Sequence, residues 1–291
     1  SSRSQVHEAA NLGDGIRVLY IAKSGLFAGM GLLSEDRGDA DTLNEGWART
    51  EALSEQSKSY FDGGYVELVI EDETGKININ KLVAGNGFNG AVKGLLTRLL
   101  TQPQFQIQER EVEDLLNAIK DWIDADSEVT ATGAENAYYQ GLGKSYTVRN
   151  GPMESIDELL MVRGVTRELF HGTAERPGLA RLLTVQGEGS VNINTAPKEV
   201  LRALAPSITE DAANRMDDYR RNPANSLTET SWYRRVPGLE NTAIDSVTVV
   251  TKSEYFQIAA KGHLGTMKRT IRGIVKRDSG KKLSVVAWRL G

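Results

Sequence analysis

Leucine recurs every seven residues at Leu12, Leu19, Leu26 and Leu33, and Gly15, Ala22 and Gly29 fall three places after the first three of them. This spacing predicts one long N-terminal helix with a one-sided apolar seam. The small residues beside the seam predict close approach, either by a second helix or by the chain's own sheet. Residues 65–71 then alternate polar and apolar positions, as a half-buried strand does. Alternation returns only near the end of the chain, over Tyr255–Leu264, Met267–Arg277 and Leu283–Leu290, with Asp278-Ser279-Gly280 as the turn between the last two. Helical patterns occupy nearly everything between. The expected fold class is therefore α+β, with a long N-terminal helix, an antiparallel sheet and a helical insertion that interrupts them.

Within the helical stretch, the same phrase is written twice. Gly75-Lys76-Ile77-Asn78-Ile79-Asn80 is answered by Gly189-Ser190-Val191-Asn192-Ile193-Asn194, and each leads into a helical stretch and later a Val-Arg-Gly-Val or Val-Pro-Gly-Leu turn. After the second copy, Thr195 is expected to cap a helix whose first turn takes Pro197, ahead of Val200, Leu201 and Leu204. Residues 192–196 with Val236-Pro237-Gly238-Leu239 resemble the helix-hairpin-helix repeats of competence DNA receptors. Such hairpins hold a phosphate on backbone N–H groups of a Gly-x-Gly turn. Here the first hairpin has Ala205-Pro206-Ser207-Ile208 in that place, and the second follows Gly238 with Glu240, a carboxylate where the phosphate would sit. The hairpins are expected to be structural, with DNA binding as the alternative.

Charge is placed unevenly around a net of -4. Residues 105–135 carry an excess of about seven negative charges, and residues 251–291 an excess of about eight positive ones. Asp121, Asp124 and Asp126 lie near a predicted helix end, with Glu135 returning after the Thr132-Gly133 bend. Carboxylates this close repel unless a hard cation neutralises them. Counted from Asp124, Asp126 and Glu135 take positions three and twelve of an EF-hand-like loop, but Glu128 and Val129 stand at five and six, where the loop needs an Asp/Asn-type ligand and a glycine. An oxygen-rich set favours calcium over zinc. The competing reading is a solvated acidic loop.

Other chemistry is weak. Gly143-Lys144-Ser145 imitates the end of a P-loop but lacks its first glycine. His7, His171 and His263 have no paired ligand spacing. There are no cysteines, and no apolar run approaches the roughly 20 residues that span a bilayer. An enzyme is not expected.

The order of elements is similar to that of the minor pseudopilin K proteins of bacterial type II secretion systems. Asp121-Trp122-Ile123-Asp124-Ala125-Asp126, Gly133-Ala134-Glu135 with Tyr138-Tyr139, Arg149-Asn150-Gly151-Pro152, Glu158-Leu159-Leu160 with Val162-Arg163-Gly164, and residues 192–201 carry the resemblance. It implies a pilin-like domain interrupted by an all-helical insertion with helix-hairpin-helix or SAM-like repeats. The implied boundaries are 1–76 and 251–291 for the pilin-like domain, 77–189 for the first helical module and 190–250 for the second. It further implies a non-enzymatic subunit at the pseudopilus tip that helps start assembly and protein export, with the minor pseudopilins I and J as partners and contact with exported proteins. Calcium in the helical domain is implied at Asp121, Asp124, Asp126 and Glu135. Leu12, Leu19, Ala22 and Leu26 are the expected partner contact. The family is anchored in the inner membrane by an apolar N-terminal helix, with the remainder in the periplasm; this chain, opening at Ser1-Ser2-Arg3-Ser4, reads as a soluble portion trimmed inside that helix.

Overall fold

The computed structural model describes residues 2–244 and 249–291, with side chains in the N-terminal helix from residue 12 onward, so the side chain of His7 lies outside the described residues. The chain divides into two compact units. One takes the chain up to Glu73 together with Arg221–Ala224 and Lys252–Gly291, and the other comprises Thr74–Arg220 and Asn225–Thr251. The first is built from a helix and an antiparallel sheet, the second mainly from short helices, so the fold is α+β.

The helical unit owes its local architecture to the repeated phrase. Ile77–Asn78 pairs in parallel with Leu183–Thr184, and Val191–Asn192 pairs in parallel with Val249–Val250. In each copy the first asparagine turns the backbone by accepting from the N–H two residues on, at 3.0 Å for Asn78 and 2.9 Å for Asn192. The second asparagine is a staple, half-buried at Asn80 and fully buried at Asn194. Asn80 donates to the Met153 carbonyl at 3.0 Å and accepts from the Met153 N–H at 2.8 Å. Asn194 donates to the Leu227 carbonyl at 3.0 Å and accepts from Trp232 Nε1 at 2.7 Å. Both amide ends are thus satisfied in each copy, which at the fully buried Asn194 is the condition for taking a polar side chain out of water at little cost. The isoleucines between them, Ile79 and Ile193, are fully buried in one continuous apolar core with Leu99, Leu116, Trp122, Phe170 and Leu201. The expected cap is corrected: the helix runs Lys198–Ala203 with Pro197 before it, while Thr195 Oγ1 turns back to the Asn192 carbonyl at 3.4 Å.

In the other unit, helix Ser2–Glu35 packs on a sheet whose strand order is Gly64–Asp72, Tyr255–Leu264, Met267–Arg277, Leu283–Leu290. Pairing sets Val66 opposite Gly262, Leu68 opposite Ala260 and Ile70 opposite Ile258, so all of these side chains share one face. Against that face the helix buries Val18, Ile21, Ala22, Leu26 and Leu33. Contact is close enough that a Cβ on Gly25 would lie 2.5 Å from Val66 Cγ2, and one on Gly262 would lie 2.5 Å from the Val18 carbonyl oxygen.

Two expectations change here. Of the four residues expected to face a partner, Ala22 and Leu26 are buried on the chain's own sheet, Leu19 is half-buried, and Leu12 alone is exposed, at 69%. The physical reason is periodicity: a straight helix turns every 3.6 residues, so a seven-residue row drifts across its face, and the sheet selects the row through Val18, Ala22, Gly25 and Gly29 instead. Second, Leu12–Glu35 is long and apolar enough, by length and composition, to cross a membrane. Arg17 and Lys23 break the apolar run without lowering its average enough to hide it.

Between this helix and the first strand, Asp36, Asp41 and Glu45 converge with carboxylate oxygens within 4.8 Å of one another. Their positive charge is already present. Arg277 donates to Asp36 at 2.8 Å and to Asp41, and Ser253 N–H donates to Asp41 at 2.7 Å. Glu45 accepts from Thr42 N–H and Trp47 Nε1, yet burial, reinforced by the charges of Asp36 and Asp41, pushes it up to about 7.

Gly262→Val should force the helix off the sheet and cost about 1–3 kcal/mol, the usual penalty of overpacking, measurable by denaturant unfolding. Glu45 gives a second expectation. A carboxyl raised in the folded state from 4.5 to about 7 binds its proton more tightly there than in the unfolded chain, so its contribution to stability is lost as pH rises across that interval. Comparing melting temperature against pH for the parent and Glu45→Gln, the parent should lose more stability between those two values, and parallel curves would contradict it.

Candidate metal centre

Helix Glu109–Ile123 brings the candidate ligands together. It starts on a reciprocal cap between Gln108 and Glu111, with Gln108 N–H donating to Glu111 Oε2 at 3.0 Å. Val112, Leu115, Leu116, Ile119, Trp122 and Ile123 point its apolar face into the core, and Trp122 meets the Tyr139 ring edge-on at 5.2 Å. That rotation leaves Asp121 and Asp124 at the C-terminal end, where exposed carbonyls already carry partial negative charge and anions are disfavoured. The chain then loops through Asp126 and Thr130 to Glu135.

Asp124, Asp126 and Glu135 each bring a carboxylate oxygen within 4.8 Å of the others. Asp124 and Glu135 are almost completely buried, at 2% and 4% exposure. Asp124 Oδ1 and both oxygens of Glu135 have no hydrogen-bond partner. Asp126 Oδ1 accepts from Glu128 N–H at 2.9 Å. Burial, then the charges of Asp121 and Asp124, push Glu135 up to about 7. Unpartnered carboxylate oxygens cost several kcal/mol when removed from water. An oxygen-only donor set of this kind fits a hard cation such as calcium.

Asp121 lies outside that triad. Both of its oxygens accept from Thr130 N–H, at 3.1 and 3.2 Å. A Cβ on Gly133 would lie 2.0 Å from Asp121 Oδ2, so the bend needs glycine for close approach to this carboxylate. Asp121 therefore shapes the loop that carries the ligands. Two contributors escaped the sequence reading. Lys120 Nζ bonds Asp124 Oδ2 and donates to Thr130 Oγ1 at 2.8 Å, a pairing that its place four residues before Asp124 on a helix could have signalled. Asn150, at φ 47°, donates to the Asp126 carbonyl at 2.6 Å while its Oδ1 is buried and unpartnered; its segment carries the family resemblance, but nothing in the local sequence ties it to the acidic loop.

The remaining candidates carry no site. Gly143-Lys144-Ser145 lies in a bend after helix Asn136–Gln140 with no strand leading into it. His171 packs edge-on to Phe170, and His263 stacks on Tyr65 with centroids 4.3 Å apart. At the second hairpin, Gly238 has φ 87° and its N–H donates to Glu240 Oε1 at 3.1 Å. The donor a phosphate would use is taken by the chain's own carboxylate, and the backbone N–H groups of Glu240 itself and of Gly238 hold Glu240 below the usual carboxylate range.

Comparison with known proteins places the chain. Two family models, both described as type II secretion system protein K, match residues 75–177 and 191–252. Protein K of Aeromonas hydrophila is 27% identical over 275 residues, covering 87% of this chain and 78% of that protein. Protein K of Pseudomonas aeruginosa is 25% identical over 256 residues, covering 88% and 72%. In fold, the chain is similar to one in the crystal structure of the GspK-GspI-GspJ complex from enterotoxigenic Escherichia coli, with a TM-score of 0.71, 18% identity, and coverage of 100% of this chain and 99% of that one. The family matches include the acidic loop, the paired Asn-Ile-Asn staples and the hairpin turns, and with them this chain belongs to the type II secretion system protein K family, the minor pseudopilins.

Proposed function

We propose that the chain is a non-enzymatic structural subunit at the tip of the type II secretion pseudopilus, where it helps start assembly and protein export. The observation that carries this reading is the insertion itself. A helix-and-sheet unit is interrupted, between its first and second strands, by a helical unit of more residues than the unit it interrupts. A subunit so enlarged fits a position with nothing stacked above it. The paired helical modules, at 77–189 and 190–250, are read as helix-hairpin-helix or SAM-like repeats turned to structural use, because their asparagines bond the chain's own loops and Glu240 fills the phosphate position. DNA binding is disfavoured by the same contacts.

The partners are the minor pseudopilins I and J, by analogy with the complex whose fold this chain resembles. The surface for them is the N-terminal helix face turned away from the sheet, where Ile16, Tyr20 and Phe27 remain at least half exposed beside Leu12. Attachment to the inner membrane, with the folded units in the periplasm, follows from the family; Leu12–Glu35 is apolar enough by composition to cross a membrane, but here Val18, Ala22, Leu26 and Leu33 are buried against the sheet. Within the helical unit, Asp124, Asp126 and Glu135 would hold a structural calcium ion, with Asp121 fixing their loop. The ion would supply positive charge to oxygens that have no partner in its absence.

Co-purification with the minor pseudopilins I and J tests the assembly reading: Ile16→Asp with Tyr20→Asp should abolish capture while leaving melting temperature unchanged, and an intact complex would overturn the assigned face. For the ion, a ligand that binds only the native state raises stability by mass action. Calcium should raise the melting temperature of chelator-stripped protein by several degrees, and Asp124→Ala with Asp126→Ala should remove the rise; an unchanged melt in the parent would sink the calcium reading.

A further inference from the structure

Lys120 is an uncommon residue to find at this place. Lysines rarely lose all contact with water unless paired, and this one is 6% exposed while its neighbour Asp124 is 2% exposed. Its ammonium contacts Asp124 Oδ2 and Thr130 Oγ1, so it sits between the helix end and the loop that carries Asp126 and Glu135. It binds one oxygen of Asp124 and leaves the other, Oδ1, unpartnered.

The balance of charge gives this placement a meaning. Asp124, Asp126 and Glu135 cluster, and Asp121 adds its charge nearby; against these four carboxyl groups Lys120 is the one cation bonded to them among the described residues. Without an ion, Lys120 offsets some of that charge and ties Asp124 to the loop through Thr130. With a divalent ion on the open side, the same ammonium would face a like charge across Asp124, and like charges a few ångströms apart in a partly dry site repel strongly. One residue thus favours the ion-free state and opposes the loaded one.

We infer that Lys120 is a tethered counter-ion that competes with calcium at this site, keeping the loop folded when the ion is absent and setting its affinity below what the carboxylates alone would give. The inference rests on the calcium reading and goes beyond it. It assigns a role to a residue that is not a ligand, and it makes ion binding reversible by design of the site: removal of calcium leaves a neutralising group in place rather than an exposed acidic cluster. A purely structural salt bridge, with no bearing on the ion, is the contrary case.

Titration calorimetry with calcium chloride on chelator-stripped protein separates the cases, using the parent, Lys120→Gln, which removes the charge and keeps hydrogen-bonding capacity, and Lys120→Arg, which keeps the charge. Lys120→Gln should bind calcium about tenfold more tightly or better, since one like charge is removed from the low-dielectric site. It should also melt lower than the parent without calcium and gain more from calcium. Lys120→Arg should stay within about threefold of the parent, because its charge remains. If Lys120→Gln folds only with calcium, its constant is read by withdrawing the ion from loaded protein with a chelator of known affinity. Equal or weaker calcium binding by Lys120→Gln, beside a parent that binds, would overturn the role of Lys120 alone. A parent that binds no calcium would remove the calcium reading and this inference together.

Discussion

Carboxylates withdrawn from water at the negative end of a helix are the constraint around which the helical unit is arranged. Core packing of Trp122 and Ile123 decides where Asp121 and Asp124 stand, and the end of the helix supplies no N–H groups to receive them. The neighbouring chain is shaped accordingly. Thr130 gives its N–H to Asp121, Gly133 leaves room for that carboxylate, Lys120 holds half of Asp124, and Asn150 ties down the Asp126 carbonyl. After these contacts, oxygens of Asp124 and Glu135 still lack partners. A buried polar group without a partner costs roughly 1–3 kcal/mol, more when charged, and few domains are stable enough to carry several of them. On the calcium reading proposed above, a cation bound among them would supply the missing partner.

The two acidic clusters of this chain show two ways of meeting one electrostatic problem. Near the start of the sheet unit, Asp36 and Asp41 are bridged by the Arg277 guanidinium, whose planar fork reaches both carboxylates. A protein-borne cation of that shape satisfies the group without outside help. Lys120 offers a point charge with shorter reach, and it serves Asp124 while Glu135 goes without. The difference between arginine and lysine separates a closed structural cluster from an open one.

Much of this was legible in the sequence because it rests on local rules. Period-two alternation gave the strands at both ends of the chain, and the repeated Asn-Ile-Asn phrase marked two equivalent turns, since an asparagine accepting from the N–H two residues on is a local motif. The acidic cluster was visible from spacing. What stayed hidden was set by tertiary contact. Whether Ala22 and Leu26 face a partner or the chain's own sheet depends on strands more than 200 residues away, such as the one carrying Gly262. Thr195 has the chemistry of a cap, but the turn started by Asn192 had already taken it. Asn150 reaches the site only through a fold that joins it to Asp126. Glu240 was the reverse case: a carboxylate two residues after a turn glycine has only nearby N–H groups to meet, and the expected occupation of the phosphate position is what Gly238 makes.

The central claim is that the cluster of Asp124, Asp126 and Glu135 is a cation site and not a solvated loop. The most direct measurement is a crystal structure of the chain grown in calcium, with anomalous scattering collected to identify the ion. The account predicts one calcium bonded to Asp124 Oδ1 and Glu135, with Lys120 still on Asp124 Oδ2. A saturating calcium concentration that leaves those oxygens facing water, with no ion among them, would contradict it.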